Sequence, residues 1–389
     1  KQQQQQVPQV PLQVHPRRHR LQQLRLAQVR VHQQAALQVV QAQVHQLVPL
    51  QPVQVHQQAL LQLVQALLQQ ALQLALPRQH VTTTTTTAYN SCNNLRWNQT
   101  GQIVAGTTSG SNADQLKNPS SFYIDNNNTL YICDHDNHRI QKWVQGASTG
   151  TTVAGDSTCH PGTTSTYLKN PTYVTFDENG FMYVADTDNN RVQRFTPGST
   201  TGTTVAGTTS STTALTDLKQ PTAIDIDNNS NLYILDMGNT RLVEWAPNAT
   251  SGTLLISASS LNNVYDILLL PNSPNQIYIS DKGDHAVYLW TFGASGPSQT
   301  FQAVNDSQHN TLNNAMGIVL DPYGNLYVAD SDRDRIVMYC ANSTVGIVVA
   351  QNNNSVPSLK SPVALAFDSD LNLYMLSTGS DQVVKLPRI

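Results

Sequence analysis

The first 80 residues of the chain contain no Asp, Glu, Gly, Ser, Thr, Asn, Phe, Tyr or Trp. A Gln-rich, low-complexity composition without aromatic or acidic residues is typical of disorder or of a loose helix. A threonine run, Thr82–Thr87, follows it. Two interpretations of residues 1–88 stay open: a disordered low-complexity tail, or a gene-model artefact in which a Thr codon repeat is translated out of frame as Gln.

The chain also lacks an 18-residue apolar stretch, because glutamines interrupt the most apolar segment, residues 59–76. It therefore shows no transmembrane span. No secretory signal of the charged-then-apolar kind opens the sequence. We find no P-loop, no G-x-S-x-G elbow and no H-E-x-x-H helix, so the common nucleotide-binding and hydrolase signatures are missing.

Cysteine is scarce, and the four cysteines contain no C-x-x-C pair that would indicate a zinc knuckle or a redox site. Cys133 stands in an apolar run, which predicts a small core residue. Cys92 and Cys159 lie in polar segments and are the candidate pair in an oxidising compartment. Spacing alone cannot establish the connectivity.

Acidic residues are confined to the part of the chain that follows the tail. Residues 1–80 hold seven basic residues and no acidic one, which leaves 15 basic against 25 acidic residues in the remainder. Nucleic-acid binding needs a surplus of Lys and Arg to displace counterions from phosphates. This balance disfavours nucleic acid and predicts a neutral or basic partner.

A unit of 45–52 residues recurs six times between residues 116 and 389. Each copy has a Leu, a pair of apolar residues at alternate positions, a polar turn and a Tyr that opens a second apolar run. The Tyr residues are Tyr131, Tyr183, Tyr233, Tyr278, Tyr327 and Tyr374. Period-two alternation and turns rich in Asn, Asp and Gly predict hairpins, and the third and fourth runs of each copy complete four strands. Four strands repeated six times predict the blades of a propeller.

The stretch LKNPTYVTFDENGFMYVADTDNNRVQRF resembles an NHL repeat, and LKNPSSFYIDNNNTLYICDHDNHRIQKW and LKQPTAIDIDNNSNLYILDMGNTRLVEW resemble it nearly as well. The resemblance covers about three-quarters of the chain and implies an all-β, six-bladed β-propeller over residues 89–389. Two copies depart from the pattern. In copy four Ala286 replaces the Arg, and in copy six Ser377 and Gln382 replace the Asp and the Arg. The expected blades span approximately residues 116–157, 168–208, 218–258, 261–305, 312–351 and 359–389.

The last copy ends after its third strand, while RWNQTGQIVAG precedes the first copy and repeats the sequence of a fourth strand. We therefore expect residues 95–106 to complete the sixth blade. A strand from before the first copy would join the two ends of the propeller without a covalent bond.

A loop of pattern D-x-x-x-x-R follows the second strand of four copies. The Asp and Arg of these loops are predicted to form structural ion pairs, because a motif present in most blades is expected to maintain a structure that the blades have in common. The pairs are Asp134/Arg139, Asp186/Arg191, Asp236/Arg241 and Asp330/Arg335. The positions that differ between blades are the candidate ligand-binding residues on this loop face. They are His135, His138, Thr187, Asp188, Met237, Lys282, Asp284, Asp332, Arg333 and Thr378.

No cofactor or metal site is predicted, and calcium and zinc are the two metals to whose sites loops of this sequence bear a weak resemblance. The loops DHDNH, DTDNN and DSDRD resemble the start of a calcium loop but lack the Gly and the distal Glu of an EF-hand. NHL-like propellers include a peptide-amidating lyase with histidine-held zinc, and His135 and His138 lie three residues apart in one loop. The alternative for both histidines is that they are solvated turn residues.

The sequence predicts a non-catalytic scaffold that binds a protein or a glycan. The alternative is a metal-dependent lyase or lactone hydrolase on the same propeller, since one fold supports many functions. Seven Asn-x-Ser/Thr triplets and the Thr run favour an extracellular glycoprotein or the ectodomain of an anchored one. The triplets are at Asn98, Asn127, Asn228, Asn248, Asn305, Asn342 and Asn353. Nothing in the sequence indicates the oligomeric state.

Overall fold

A computed structural model describes residue 92 and residues 95–257, 261, 263–271, 273–352 and 359–389. The predicted tail, residues 1–88, and the triplet at Asn353 lie outside the described residues. Among the described residues, no helix is long and apolar enough to cross a bilayer.

The described chain is all-β and forms a six-bladed propeller, as the repeat predicted. The first blade contains β2 (Phe122–Ile124), β3 (Leu130–Asp134), β4 (Arg139–Trp143) and β5 (Thr151–Gly155). The second contains β6 (Pro171–Phe176), β7 (Met182–Asp186), β8 (Arg191–Phe195) and β9 (Gly202–Ala206). The third contains β10 (Pro221–Ile226), β11 (Leu232–Asp236), β12 (Arg241–Trp245) and β13 (Thr253–Ser257). Each is an antiparallel sheet in sequence order, so the first strand of each blade is innermost.

The fourth blade contains β14 (Val264–Leu270), β15 (Ser273–Asp281), β16 (Ala286–Thr291) and β17 (Gln299–Phe301). The fifth contains β19 (Ala315–Leu320), β20 (Leu326–Asp330), β21 (Arg335–Tyr339) and β22 (Val345–Gln351), and the short β18 (Ala303–Val304) pairs in parallel with β22. The sixth contains β23 (Pro362–Phe367), β24 (Leu373–Ser377) and β25 (Gln382–Leu386), with β1 (Gln102–Ala105) on its outer edge.

The core lies between neighbouring blades, where both faces of each sheet are covered. The Leu that opens each repeat is at most 2% exposed in all six copies. In four blades the second strand is buried at every position, as in Met182–Asp186. Full burial of one leucine side chain contributes about 1.5–3 kcal/mol, so the repeat places one such contribution at every blade.

The segment before the first blade packs on the last one. β1 pairs antiparallel with β25, with Ile103 opposite Val384. Trp97 is 3% exposed, donates its indole N–H to the Leu371 carbonyl at 2.9 Å, and meets the Tyr327 ring edge-on with centroids 5.5 Å apart. The sheet of the sixth blade therefore includes a strand from each end of the propeller sequence.

A disulfide joins Cys92 to Cys340, whose Cα atoms are 5.7 Å apart. The suggested pairing of Cys92 with Cys159 is therefore wrong, and Cys159 is free. The reason is the position of the two segments in the fold. The segment that contains Cys92 packs against the fifth and sixth blades, whereas Cys159 follows the first blade. Cys133 is fully buried and unpaired, as expected of a small core residue.

Candidate functional site

The loops that follow the second strands share one backbone conformation. In four of them a single turn of 3-10 helix begins directly after the Asp, and the residue before the third strand is left-handed, with φ between 50° and 55°. Asn, Asp and His tolerate this conformation better than most residues do. All these loops lie at one end of the ring, because each second strand runs towards that end.

The repeated Asp and Arg of these loops form buried ion pairs within the loop. The Arg Nε lies 2.6–2.7 Å from Oδ2 of its Asp in all four pairs predicted from the sequence. The other oxygen of Asp186 accepts the Lys169 backbone N–H at 2.7 Å, and the Arg191 guanidinium donates to loop carbonyls such as that of Thr163. Burial raises the pKa of Asp186, against the opposing effect of its Asn189 and Arg191 donors. The ionic groups of this pair therefore find their partners within the loop and in the segment that precedes the blade.

The fifth residue of most loops connects one blade to the next. His138 Nδ1 accepts the backbone N–H of Asn170 at 3.2 Å, and Asp381 Oδ1 of the last blade accepts that of Asn118 in the first blade at 2.8 Å. Equivalent bonds join Gln220 to Asn190, Asn314 to His285 and Ser361 to Asp334. Burial lowers the pKa of His138, which favours the neutral ring that can accept this bond. We call these five contacts the interblade clips.

The fourth blade departs from this arrangement, as its sequence indicated. Asp281 is 1% exposed, but Ala286 stands where the Arg would be, and Asp281 Oδ2 has no hydrogen-bond partner. Burial raises the pKa of Asp281. Two carboxylates of the innermost strands hold this blade instead. Asp225 Oδ2 accepts the Leu269 backbone N–H at 2.7 Å, and Asp266 Oδ2 accepts that of Ile318 at 2.9 Å.

A cavity of about 460 Å³ opens at the loop end of the channel. Four of the candidate binding residues line it: His135, Lys282, Asp332 and Thr378. The wall also includes the residues at the start of the innermost strands, namely Ser120, Thr172, Tyr265, Met316 and Val363. The loop face predicted from the sequence is thus the rim of a cavity whose deeper wall is formed by the first strands.

The other six candidates do not line this cavity. His138 is in an interblade clip, and Thr187 is buried, with its hydroxyl 2.6 Å from that of Thr172 and donating to the Pro221 carbonyl at 2.8 Å. Met237 packs against the core of the third and fourth blades. Asp284 accepts the Tyr288 hydroxyl at 2.8 Å. Asp188 and Arg333 are half-buried outside the cavity lining.

Tyr265 is the main residue that sequence reasoning missed. Its hydroxyl donates to the Ser120 carbonyl at 2.6 Å, which joins the fourth blade to the first blade on the opposite side of the ring. The ring of Tyr265 therefore crosses the axis and forms the floor of the cavity. A signal was present in the sequence. Four residues after the Leu that opens each copy, the residue is Ser, Thr, Thr, Tyr, Met and Val in the six copies, which is as variable as the loop positions.

Charges of both signs surround the cavity. Lys282 Nζ lies 5.5 Å from the centroid of the Tyr265 ring, and burial lowers the pKa of this lysine. His135 Nδ1 lies 2.8 Å from Asp136 Oδ1. Asn314 donates its side-chain N–H to Asp332 Oδ1 at 2.9 Å. The rim can thus offer a cation, a carboxylate, amides and hydroxyl groups to a ligand.

The part of the chain that the structure describes contains no group of three or more His, Cys, Asp and Glu placed to hold a metal ion. His135 Nδ1 contacts Asp136, and His138 Nδ1 accepts the backbone N–H of Asn170.

The family model of the NHL repeat matches residues 116–143, which are the Leu and first three strands of the first blade. The first blade therefore contains a repeat similar to the NHL repeat, and the described chain as a whole has the six-bladed arrangement. No curated protein matches the sequence.

Solved structures share this fold at low sequence identity. An auxiliary nutrient binding protein from Bacteroides ovatus is 13% identical with a TM-score of 0.54, covering 74% of this chain and 76% of its own. A second auxiliary nutrient binding protein, from Bacteroides thetaiotaomicron, is 13% identical with a TM-score of 0.53 over the same shares. A gluconolactonase from Xanthomonas campestris is 12% identical with a TM-score of 0.53, covering 77% of this chain and 96% of its own. Both binding proteins and an enzyme therefore use propellers of this kind.

Proposed function

We propose that this propeller is an extracellular binding module that takes a small, hydroxyl-rich ligand, such as the end of a glycan, in the cavity at its loop face. The observation that carries the proposal is the mixed lining of that cavity. The Tyr265 ring, Met316 and Val363 provide an apolar surface, and hydroxyl groups such as that of Thr378 lie on the same wall. Sugars present an apolar face and a hydroxyl edge, so a site with both kinds of surface suits them.

Titration calorimetry of the full chain with a panel of mono- and disaccharides tests this proposal. We expect saturable binding to at least one sugar. Thr378→Trp would fill the cavity and abolish that binding, whereas Thr200→Trp, in an exposed turn away from the cavity, would leave it unchanged. Binding that survives Thr378→Trp would place the ligand elsewhere.

The enzymatic alternative, a metal-dependent lyase or lactone hydrolase, makes a different prediction. Such an enzyme would consume its ligand and would lose that activity when a chelator removes the metal. Incubating the protein with a lactone panel, with and without chelator, separates the two functions. Chelator-sensitive turnover would replace the binding proposal.

Two features support the extracellular part of the proposal. The Cys92–Cys340 disulfide is of the kind that persists in oxidising compartments. The Asn side chains of the six described triplets are all exposed. Asn127 and Asn228 lie between first and second strands, and Asn248 and Asn342 lie between third and fourth strands, at the end of the ring opposite the cavity. Glycans at these four positions would leave the cavity open.

Expression through a eukaryotic secretory pathway, followed by glycopeptide mass spectrometry, tests the glycoprotein proposal. We expect modification at Asn127, Asn228, Asn248 or Asn342. Secreted, folded protein with all four sites unmodified would contradict it.

A further inference from the structure

Lys282 is a candidate binding residue that takes part in neither the repeated ion pairs nor the interblade clips. It directly follows Asp281, and its side chain is half-buried in the cavity wall above Tyr265. Partial burial removes water from the ammonium group, and this desolvation is the largest influence on its lowered pKa. A cation held in this way gains from any anion that enters the cavity.

No carboxylate of the protein forms an ion pair with this lysine. All 25 acidic residues of the chain lie within the described residues, and Lys282 forms an ion pair with none of them. The charge of the neighbouring Asp281 acts to raise the pKa of Lys282, but Asp281 Oδ1 accepts the backbone N–H groups of Gly283 and Asp284, and its Oδ2 has no hydrogen-bond partner. Asp332, in the loop of the neighbouring fifth blade, accepts the Asn314 amide.

The negative charge of the propeller as a whole predicts a neutral or basic ligand, but the cavity has its own local charge. A half-buried cation a few ångströms from a ligand acts on that ligand more strongly than exposed charges that lie farther away than the Debye length of about 8 Å. From the cavity geometry and this unpaired cation, we infer that the ligand is a sugar acid with one carboxylate, such as a uronic acid, whose carboxylate binds Lys282. This inference rests on the proposed function and names its ligand class.

The surroundings favour a single negative charge. Asp332 and Asp136 lie at or next to the rim, so a dianion such as a phosphate ester would meet repulsion that one lysine cannot offset. A flat carboxylate on a sugar ring can reach the ammonium group while the apolar face of the ring rests on Tyr265. Ser120 and Thr172 line the same cavity, and their hydroxyl groups, which donate to backbone carbonyls, can still accept hydrogen bonds from the ring hydroxyls.

D-glucuronate and D-glucose are the matched probes, because they differ only in whether C6 is a carboxylate or an alcohol. We expect the wild-type full chain to bind glucuronate at least about tenfold more tightly than glucose, since a charge-assisted bond contributes about 1.5–3 kcal/mol. Lys282→Met should weaken glucuronate binding by about ten- to a hundredfold and leave glucose binding nearly unchanged. Raising the salt concentration should weaken glucuronate binding only.

Lys142→Met is the matched control, because Lys142 also lies over a tyrosine ring, 5.6 Å from the centroid of Tyr131, but outside the cavity lining. It should leave both affinities unchanged, and equal melting temperatures would show that all variants fold. Equal affinity of the wild type for the two sugars, or undiminished glucuronate binding by Lys282→Met, would overturn the inference and leave the proposed function standing. Binding of neither acidic nor neutral sugars would contradict both.

Discussion

The Asp and Arg at the two ends of each regular loop form an ion pair that is almost fully shielded from water. Asp186 is 0% exposed and Arg191 4% exposed. Such a pair adds little net stability over an apolar pair of the same volume, but removing one partner leaves a buried charge uncompensated. The pairs therefore determine loop conformation more than they determine total stability.

We expect Arg191→Met to lower the free energy of unfolding by about 3–5 kcal/mol, because the buried Asp186 loses its ion-pair partner and three carbonyls lose the hydrogen bonds that the guanidinium donates. Arg194→Met is the control on the same strand. Arg194 is half-exposed over the Phe181 ring at 5.0 Å, and its loss should cost less than about 1 kcal/mol. Urea unfolding measures both, and equal losses would show that the buried pair does not hold the loop.

Asp225 and Asp266 make the stability of the protein depend on pH. Burial raises the pKa of Asp225 to about 6 and that of Asp266 to about 7, so both hold a proton to higher pH in the folded protein than in the unfolded chain. The folded state therefore binds more protons between about pH 4 and pH 7, and the free energy of unfolding falls as pH rises through that window.

We expect this fall to reach at least about 2 kcal/mol in the wild type, since one pKa unit corresponds to about 1.4 kcal/mol. The double substitution Asp225→Asn and Asp266→Asn should remove it, whereas Asp370→Asn, in an exposed turn, should retain it. Urea unfolding at pH 5, 6, 7 and 8 provides the comparison. A double variant with the wild-type pH dependence would disprove this assignment.

At the scale of the strand, the Gly that ends the fourth strand of several blades has a steric role. A Cβ atom at Gly207 would lie 2.4 Å from the Asn190 carbonyl oxygen, and Gly155 and Gly106 have the same close approach to the equivalent carbonyl. This contact brings the outer strand against the left-handed residue of the loop, which explains why the sequence VAG recurs at these positions.

Gly207→Ala should lower the free energy of unfolding by about 2–5 kcal/mol, because the left-handed φ of 79° and the overlap with the Asn190 carbonyl oxygen both add to the cost. Gly198→Ala, in the same blade, has a φ of 78° but nothing within 4 Å of the added Cβ, so it should cost only about 1–2 kcal/mol. Thermal unfolding of the pair separates the two contributions. Equal losses would mean that the strand shifts to accept the methyl group.

The sequence predicted the elements well because each copy repeats the same local signals. Alternation, turn residues and the buried Leu appear in all six copies, so an irregular copy such as the fourth blade still aligns with the others. The contacts across the ring carry no such periodic signal. The bond from Tyr265 to Ser120 and the Cys92–Cys340 disulfide join residues 145 and 248 positions apart, and nothing local to either partner predicts them.

At the scale of the whole molecule, the disulfide encloses 248 positions of sequence and fixes the segment that supplies β1 to the sixth blade. Reduction should lower the free energy of unfolding by roughly 2–5 kcal/mol, because the unfolded chain regains the freedom of a very long loop. Unfolding of the wild type with and without reductant, compared with the same pair of measurements on Cys92→Ser, tests this expectation. A reductant effect that persists in Cys92→Ser would exclude the disulfide as its source.

The Tyr265 ring across the axis has a consequence for the kind of partner that can be recognised. For the ligand of the proposed function, we expect entry and exit through the same mouth. Free chain termini or detached monomers, and not an internal stretch of a polymer, would then reach Tyr265. The protein should accordingly distinguish a polysaccharide with many short branches from a linear one of equal mass, in proportion to the number of ends that each presents.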